Sequence, residues 1–440
     1  MKLVLLAFIV LLALLCPAAL WFLSIRAMVS FEPAPPKVAG KETPVFLKIE
    51  SPHSVRRLSV FVEQNGKRFT ALERSEPATR LRFFRSGRNA EIVTVNIGSA
   101  HQKDLKAGKA KLVVEVQAND FRAMVSTLSQ DIEVILTPPT LAVDSAQHYI
   151  NHGGAELVTF NVSGYWTEAG VRVGKYTFRS FQMPDSKDPG QRLSLFVFPW
   201  DTPPDTTPVV FARNPAQEVT AKFWFKVFPK KFRKRDLDIP DSFIEKVVAE
   251  LDPGGSGDLL DRFLKVNGPL RRQNNTALSN QRLNTTPAFL FNKPFKQLTN
   301  SKVESQFADQ RTYIYKGKKV DEQVHQGFDL SVTRNVPVVA ANDGKVVYAS
   351  NLGIYGNCVV IDHGYGLQSI YAHLSSIETQ PGQMVGRDQV IGKSGSTGLA
   401  GGDHLHFSMQ IDGVQTNPVE WWDDHWIKDR VASKVKLKVE

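Results

Sequence analysis

Histidine and carboxylate side chains recur in the C-terminal third of this 440-residue chain at spacings that suit metal chemistry. His325 and Asp329 stand four apart in His325-Gln326-Gly327-Phe328-Asp329, and His404 and His406 stand two apart in His404-Leu405-His406. His373 lies between the two pairs. Neutral imidazole and carboxylate both ligate zinc, and a catalytic zinc takes three protein ligands and keeps a fourth position for water. His325, Asp329 and one of the two later histidines would supply those three. The remaining histidine and His373 would then be left for acid/base work. A closed structural site would more often use four ligands including cysteines, and Cys358 is the one cysteine in this region.

These side chains need elements that aim them together. A spacing of four puts two residues on one side of a helix and also on one face of a strand. Gly327 and the β-rich flanks favour an extended or turn conformation for His325–Asp329. In a strand, His404 and His406 share a face and Leu405 points away. Phe407 to Ile411 continue the strand, and Asp412-Gly413 turns it. Upstream, Gly392 to Gly402 is glycine-rich and suits a loop close to a substrate backbone. Gly392-Lys393-Ser394 matches the end of a phosphate loop, but Gly386 lies one residue too far away and the following glycines do not read as a helix, which argues against a nucleotide site.

The order of these elements resembles the M23 zinc endopeptidases of the lysostaphin and LytM type. The residues that carry the resemblance are His325 to Asp329, Tyr371 to Leu374, Gly392 to Gly398 and His404 to Phe407, with Asp362-His363-Gly364 and Asn417-Pro418 in support. The resemblance spans about residues 295–422. It implies one Zn²⁺ per chain held by His325, Asp329 and His406, with acid/base and transition-state roles for His373 and His404. None of the five positions is substituted. It further implies peptidoglycan peptides as substrate, cut by a metal-activated water. Phe307-Ala308-Asp309-Gln310-Arg311 departs from the usual Phe-Gly-x-Arg, which puts a local turn in question. His363 is expected to pack rather than ligate, and His425 to lie on the surface or pack. Tyr371 is either a hydrogen-bond donor to the oxyanion or a packing residue.

The expected fold is mainly β: an N-terminal membrane anchor, two β-sandwich-like domains, a short helical segment and a C-terminal β-rich peptidase domain. In the first sandwich, over 38–137, Leu58, Val60 and Val62 alternate before the hairpin signal Asn65-Gly66. Leu112, Val114 and Val116 alternate likewise, as do Ile132, Val134 and Leu136. In the second, over 138–229, Val158, Phe160 and Val162 alternate. His148 and His152 are four apart there, with no third ligand evident nearby. The region 236–288 is predicted to hold a helix opened by a capping box at Ser242-Phe243-Ile244-Glu245 and stopped at Pro253-Gly254-Gly255. A second helix is predicted over 258–266, then a polar linker over 273–286. Part of that linker, Gln273 to Asn284, is a candidate for covering the metal, and a fragment 289–440 is then expected to digest walls faster than a longer form. The peptidase domain is expected over 289–427.

Leu3 to Leu23 is a nearly continuous apolar run of about 21 residues, enough to cross a bilayer. With Lys2 before it and Arg26 after it, residues 1–25 read as an uncleaved signal anchor. The rest of the chain would then be exported, anchored in the inner membrane and facing the periplasm. In that compartment the expected bond is the D-alanyl–diaminopimelate cross-link. Cys16 lies in the apolar run, so it is not expected to pair with Cys358. The net charge of +10 owes part to Lys230-Lys231-Phe232-Arg233-Lys234-Arg235, which is read as a solvated linker rather than a nucleic-acid site. The β domains offer surfaces for envelope protein partners. The competing reading is a catalytically silent envelope scaffold or activator of another wall hydrolase.

Overall fold

Alternating apolar residues bury the first β region as the sequence predicts. Leu58, Val60 and Val62 in the strand Val55–Gln64 stand opposite Val116, Val114 and Leu112 in Gly108–Ala118, and all six are fully buried. Asn65 and Gly66 both adopt left-handed backbone, φ 51° and 74°, and close the hairpin to Lys67–Ser75. A computed structural model describes Ile9, residues 15–78 and residues 90–438. It divides into two units, one comprising the chain up to Thr140 with Ser163–Glu168 and Ala212–Val219, the other the remaining segments.

The first unit carries a five-stranded and a three-stranded sheet. The five-stranded order is Val38–Ala39, Val125–Val134, Gly108–Ala118, Val55–Gln64, Lys67–Ser75. The three-stranded order is Met28–Phe31, Thr43–Glu50, Glu91–Ile97. Val45, Leu47 and Ile49 of the smaller sheet join Leu58, Val60 and Leu112 of the larger in one core. Among the described residues no helix is long and apolar enough to cross a membrane. The predicted anchor over 1–25 falls largely on residues 1–8 and 10–14, which lie outside the described residues.

In the second unit, Ala155–Ser163 pairs antiparallel with Gln191–Val197. Its alternation is hidden because Ala155 to Phe160 are all buried, Glu156 among them, with its carboxylate bound by Lys434 at 2.6 Å. The strand Lys234–Asp238 then pairs parallel with Asp309–Tyr315, which pairs antiparallel with Lys318–His325. The basic run is therefore not a solvated linker throughout. Lys230 and Lys231 are exposed, but Arg233 pairs with the buried Asp309, and Arg235 donates to the Glu304 carbonyl at 3.0 Å.

The helical region differs from expectation in two ways. The helix Asp241–Leu251 starts on Pro240 with no side-chain cap, so Ser242 sits inside the first turn and forms no capping box. Pro240 supplies extended backbone at the boundary, and Asp241 supplies an acidic first turn. After Leu259–Lys265, capped by Asp258, the chain passes through a π turn, Val266–Leu270, into a helix over Arg271–Asn280 where a linker was predicted. Tertiary contacts rather than propensity hold this last helix. Leu278 is buried, and Asn274 Oδ1 accepts the Ile354 N–H at 2.9 Å.

The largest sheet runs in the order Lys302–Ser305, Phe328–Ser331, His404–Ile411, Leu367–Leu374, Asn357–Gly364, Gly344–Asn351, Met384–Val385. Ile244, Val248, Phe263 and Leu278 of the helical region share a core with Val360, Ile370 and Ala372 of this sheet. Ala372 stands opposite His406, so the helices cover the same sheet face that carries the His406 side chain.

Candidate active site

Adjacent strands bring the ligand candidates together by register. Asp329 pairs with His406, and His406 with Ala372. Cross-strand partners share a face, so Asp329 and His406 point the same way. His325 arrives differently. It ends the strand Lys318–His325, and Gln326-Gly327 carry the chain out of that small sheet into Phe328–Ser331 of the large one. The spacing of four is thus a corner between two sheets rather than one strand face. Gly327 has to be glycine for space, since a Cβ there would lie 2.8 Å from the His406 ring.

His373 needs a further device. Alternation after Ala372 would send its side chain to the opposite face. The pairing shifts here, with Asn357 opposite Leu374 but Val359 opposite Tyr371, so the strand carries one extra residue. At this bulge His373 has φ 61°. A bulge re-aims a side chain, and the His373 ring comes to 4.9 Å from His404 and 5.8 Å from His406.

The result is a tight polar cluster. His325 Nε2 lies 2.9 Å from Asp329 Oδ1 and 2.9 Å from His406 Nδ1, and His406 Nδ1 lies 3.1 Å from Asp329 Oδ1. His404 Nε2 approaches the same Asp329 oxygen at 3.4 Å. Backbone carbonyls set the proton positions of three imidazoles. His325 Nδ1 donates to Gln306 at 3.1 Å, His373 Nδ1 to Thr397 at 2.8 Å and His404 Nδ1 to Gly402 at 2.8 Å. In each neutral ring the lone pair is then on Nε2.

Burial and charge act in opposite directions here. Burial pushes His373 well below the usual histidine range and His406 down to about 4. For His404 burial also favours the neutral ring, but the hydrogen bond and charge of Asp329 outweigh it and raise the group. Asp329 is only partly exposed, and its partial burial favours the acid form, yet the His325 charge and the surrounding imidazole hydrogen bonds hold it well below the carboxylate range.

Two nitrogens and one carboxylate oxygen converging this closely suit a small divalent cation. Zinc bonds of about 2.0–2.1 Å in tetrahedral geometry would space the donors by about 3.3 Å, slightly more than these atoms stand apart. Among the described residues, His325, Asp329 and His406 are the one His/Cys/Asp/Glu group that could hold a metal. His148 and His152 do not form another. His148 contacts Lys434 Nζ at 3.2 Å, and His152 packs edge-on against Phe198 and Phe232.

The cluster opens into a cleft of about 640 Å³ lined by Arg235, Phe243, Lys246, Arg311, His373 and His404, among others. On its other side the helix Arg271–Asn280 approaches. Arg271 and Asn275 line a cavity of about 40 Å³ with His325 and His406. His363 packs as expected, its nitrogens 2.7 Å from the Asp343 carbonyl and 2.7 Å from Ser369 Oγ, and His425 is exposed. Tyr371 is a packing residue. Its buried hydroxyl accepts from the Ala341 N–H at 2.7 Å and contacts Ser369 Oγ at 3.0 Å, on the face away from the cluster. Gly392 and Lys393 end a strand rather than open a helix, so no phosphate loop forms.

Sequence reasoning gave no role to Arg311, which donates to Asp329 Oδ2 at 2.8 Å, or to the carbonyls of Gln306 and Thr397. The signal for Arg311 lay in the Phe307–Arg311 stretch itself. Its turn survives the replacement of glycine, because Ala308 takes φ 61° while fully buried.

Known proteins resemble this part of the chain. The profile of Peptidase family M23 matches residues 323–418. A DD-carboxypeptidase/endopeptidase of Neisseria meningitidis serogroup B is 40% identical over 97 residues, 22% of this chain and 22% of its own length. A peptidoglycan DD-endopeptidase of Vibrio cholerae is 41% identical over 96 residues, again 22% of each chain. A murein hydrolase activator of Salmonella dublin is 36% identical over 98 residues, 22% of this chain and 26% of its own. The match spans about a fifth of the length of the first two relatives. The C-terminal portion of this chain, with His325, Asp329, His373, His404 and His406 inside the matched segment, is a peptidase family M23 domain.

Proposed function

We propose that the chain is a zinc-dependent endopeptidase that hydrolyses peptide cross-links of peptidoglycan, with the D-alanyl–diaminopimelate bond as its target. The observation that carries this reading is the convergence of His325 Nε2, Asp329 Oδ1 and His406 Nδ1 at 2.9 to 3.1 Å beside two further imidazoles. His325, Asp329 and His406 would hold one ion. When bound, zinc supplies a hydroxide nucleophile at neutral pH and polarises the scissile carbonyl. His373 and His404 line the cleft with Nδ1 tied to backbone carbonyls, so each offers Nε2 as its site for one proton. One takes the proton of the attacking water and returns it to the leaving amine, and the other stabilises the developing oxyanion. Arg311 occupies Asp329 Oδ2 and leaves Oδ1 to face the cluster.

The same reading places the enzyme in the periplasm, held to the inner membrane by its N-terminal segment, with the β domains available to envelope partners. The apolar run Leu3–Leu23 supports the anchor, as does the exposure of Leu15, Trp21, Phe22 and Leu23. Full-length protein in detergent should carry about one zinc per chain and release monomeric muropeptides from cross-linked walls. His406→Ala should lose both properties. A zinc-loaded protein that leaves wall preparations intact would instead favour the silent scaffold or activator.

A further inference from the structure

The carbonyl that orients His373 belongs to a glycine-rich loop, and that loop is held from outside the family domain. The helix Asp241–Leu251 precedes the matched segment by more than 70 residues. Lys246 and Glu250 are one helical turn apart and share a face. Lys246 Nζ donates to the carbonyls of Ser396 at 3.2 Å and Ala400 at 2.9 Å. Glu250 Oε1 accepts the N–H of Gly398, midway between them. The cationic head meets two carbonyls and the carboxylate meets one N–H.

The opposite side of the loop is closed by the turn at 353–356. Leu399 N–H donates to the Ile354 carbonyl at 2.9 Å. Gly398, at φ 73°, leaves no room for a side chain, since a Cβ would lie 2.4 Å from Gly356 N. Thr397 sits between the two clamps. Its Oγ1 donates to the Leu374 carbonyl at 2.8 Å, and its own carbonyl accepts His373 Nδ1–H at 2.8 Å.

We infer that Lys246 and Glu250 are positioning residues for His373, acting through Thr397. Glycine-rich backbone has many conformations to lose. Three hydrogen bonds from one rigid helix face restrict the loop, and the Thr397 carbonyl then holds the His373 proton on Nδ1. The inference rests on the reading of His373 as an acid/base group.

The test uses the full-length, zinc-loaded protein. Lys246→Met and Glu250→Ala should each lower kcat about ten-fold, with zinc content and unfolding midpoint near wild type. Glu250→Ala, which lies outside the cleft lining, should also leave KM near wild type. Lys246→Arg should recover most of the activity. The charge swap K246E/E250K should not, because it presents a carboxylate to carbonyls and an ammonium to an N–H. Recovery by the swap would mean a mere ion pair along the helix and would overturn the inference. A second readout needs no turnover. Hydrogen exchange at the Gly398 amide should accelerate, and the ¹⁵N shifts of His373 should move toward a mixture of tautomers. Unchanged exchange and unchanged shifts in both variants would also overturn it. A wild-type protein that does not hydrolyse walls would count against the proposed function alone, while these two signals would still read the clamp.

Discussion

Arg311 Nη2 holds Asp329 Oδ2 at 2.8 Å, so the carboxylate turns a single oxygen, Oδ1, toward His325 and His406. Arg311 is itself mostly buried, with a side chain 17% exposed. A hydrogen-bonded partner that orients a metal ligand typically contributes 10- to 100-fold to metal affinity or activity. Arg311→Met should therefore weaken zinc binding by about ten-fold or more, read by competition with a chelator of known affinity. Arg311→Lys should recover only part, because one ammonium does not reproduce the guanidinium geometry.

His373 reaches the cluster through a bulge and a left-handed residue, and it lies outside the converging triad of donor atoms. His373→Ala should keep zinc at wild-type stoichiometry and lose about 10²- to 10⁴-fold in kcat, the range of general acid–base catalysis. Metal analysis alongside muropeptide release checks both halves. Loss of zinc together with activity would instead make His373 part of the metal-binding set.

Glu420 should give the stability of the second unit a pH dependence. Its Oε2 accepts the Ala155 N–H at 2.6 Å and its Oε1 the Asn151 amide at 2.8 Å. Burial pushes its carboxyl up to about 7, with the Glu156 charge adding to the rise and the Ala155 and Asn151 hydrogen bonds opposing it. The folded value lies above the unfolded one, so the contribution to stability is complete below about pH 4.5 and is lost as pH rises through about 7. The loss is about 3 kcal/mol, at 1.36 kcal/mol per unit. Glu420→Gln should flatten this slope, measured as unfolding midpoints in urea at pH 5 and pH 8. An unchanged slope would assign the dependence to other groups.

The helices over 241–280 share a core with the sheet that carries His373, His404 and His406, which changes the expectation for a short fragment. Removing residues before 289 would uncover Ile354, Tyr355, Val360 and Ile370, now packed against Ile244, Val248, Phe263 and Leu278. An exposed apolar patch of that kind favours association. Residues 289–440 alone should aggregate or elute as oligomers in size-exclusion chromatography rather than digest walls faster. A monomeric and more active fragment would restore the occlusion reading for Gln273 to Asn284.

Short spacings were legible because they are local. His404 and His406 share a strand face wherever that strand lies, and Asn65-Gly66 closes a hairpin by its own backbone preferences. The helix Arg271–Asn280 was not legible. Its Asn, Gln, Ser and Thr residues show no apolar period, and what holds it is Leu278 in a distant core and Asn274 on the backbone of Ile354. The basic run was misread for the same reason, since Asp309, the partner of Arg233, lies 76 residues away.

The sequence by itself determined which residue types could bind a metal and move protons, and that β elements would carry them. Donor chemistry and two-residue periodicity belong to the chain alone. Tertiary structure decided which atoms converge. The register of Phe328–Ser331 on His404–Ile411, the bulge that turns His373, and Arg311 on Asp329 Oδ2 each depend on contacts between segments far apart in sequence. Packing across strands selects such contacts, and local propensity carries no record of them.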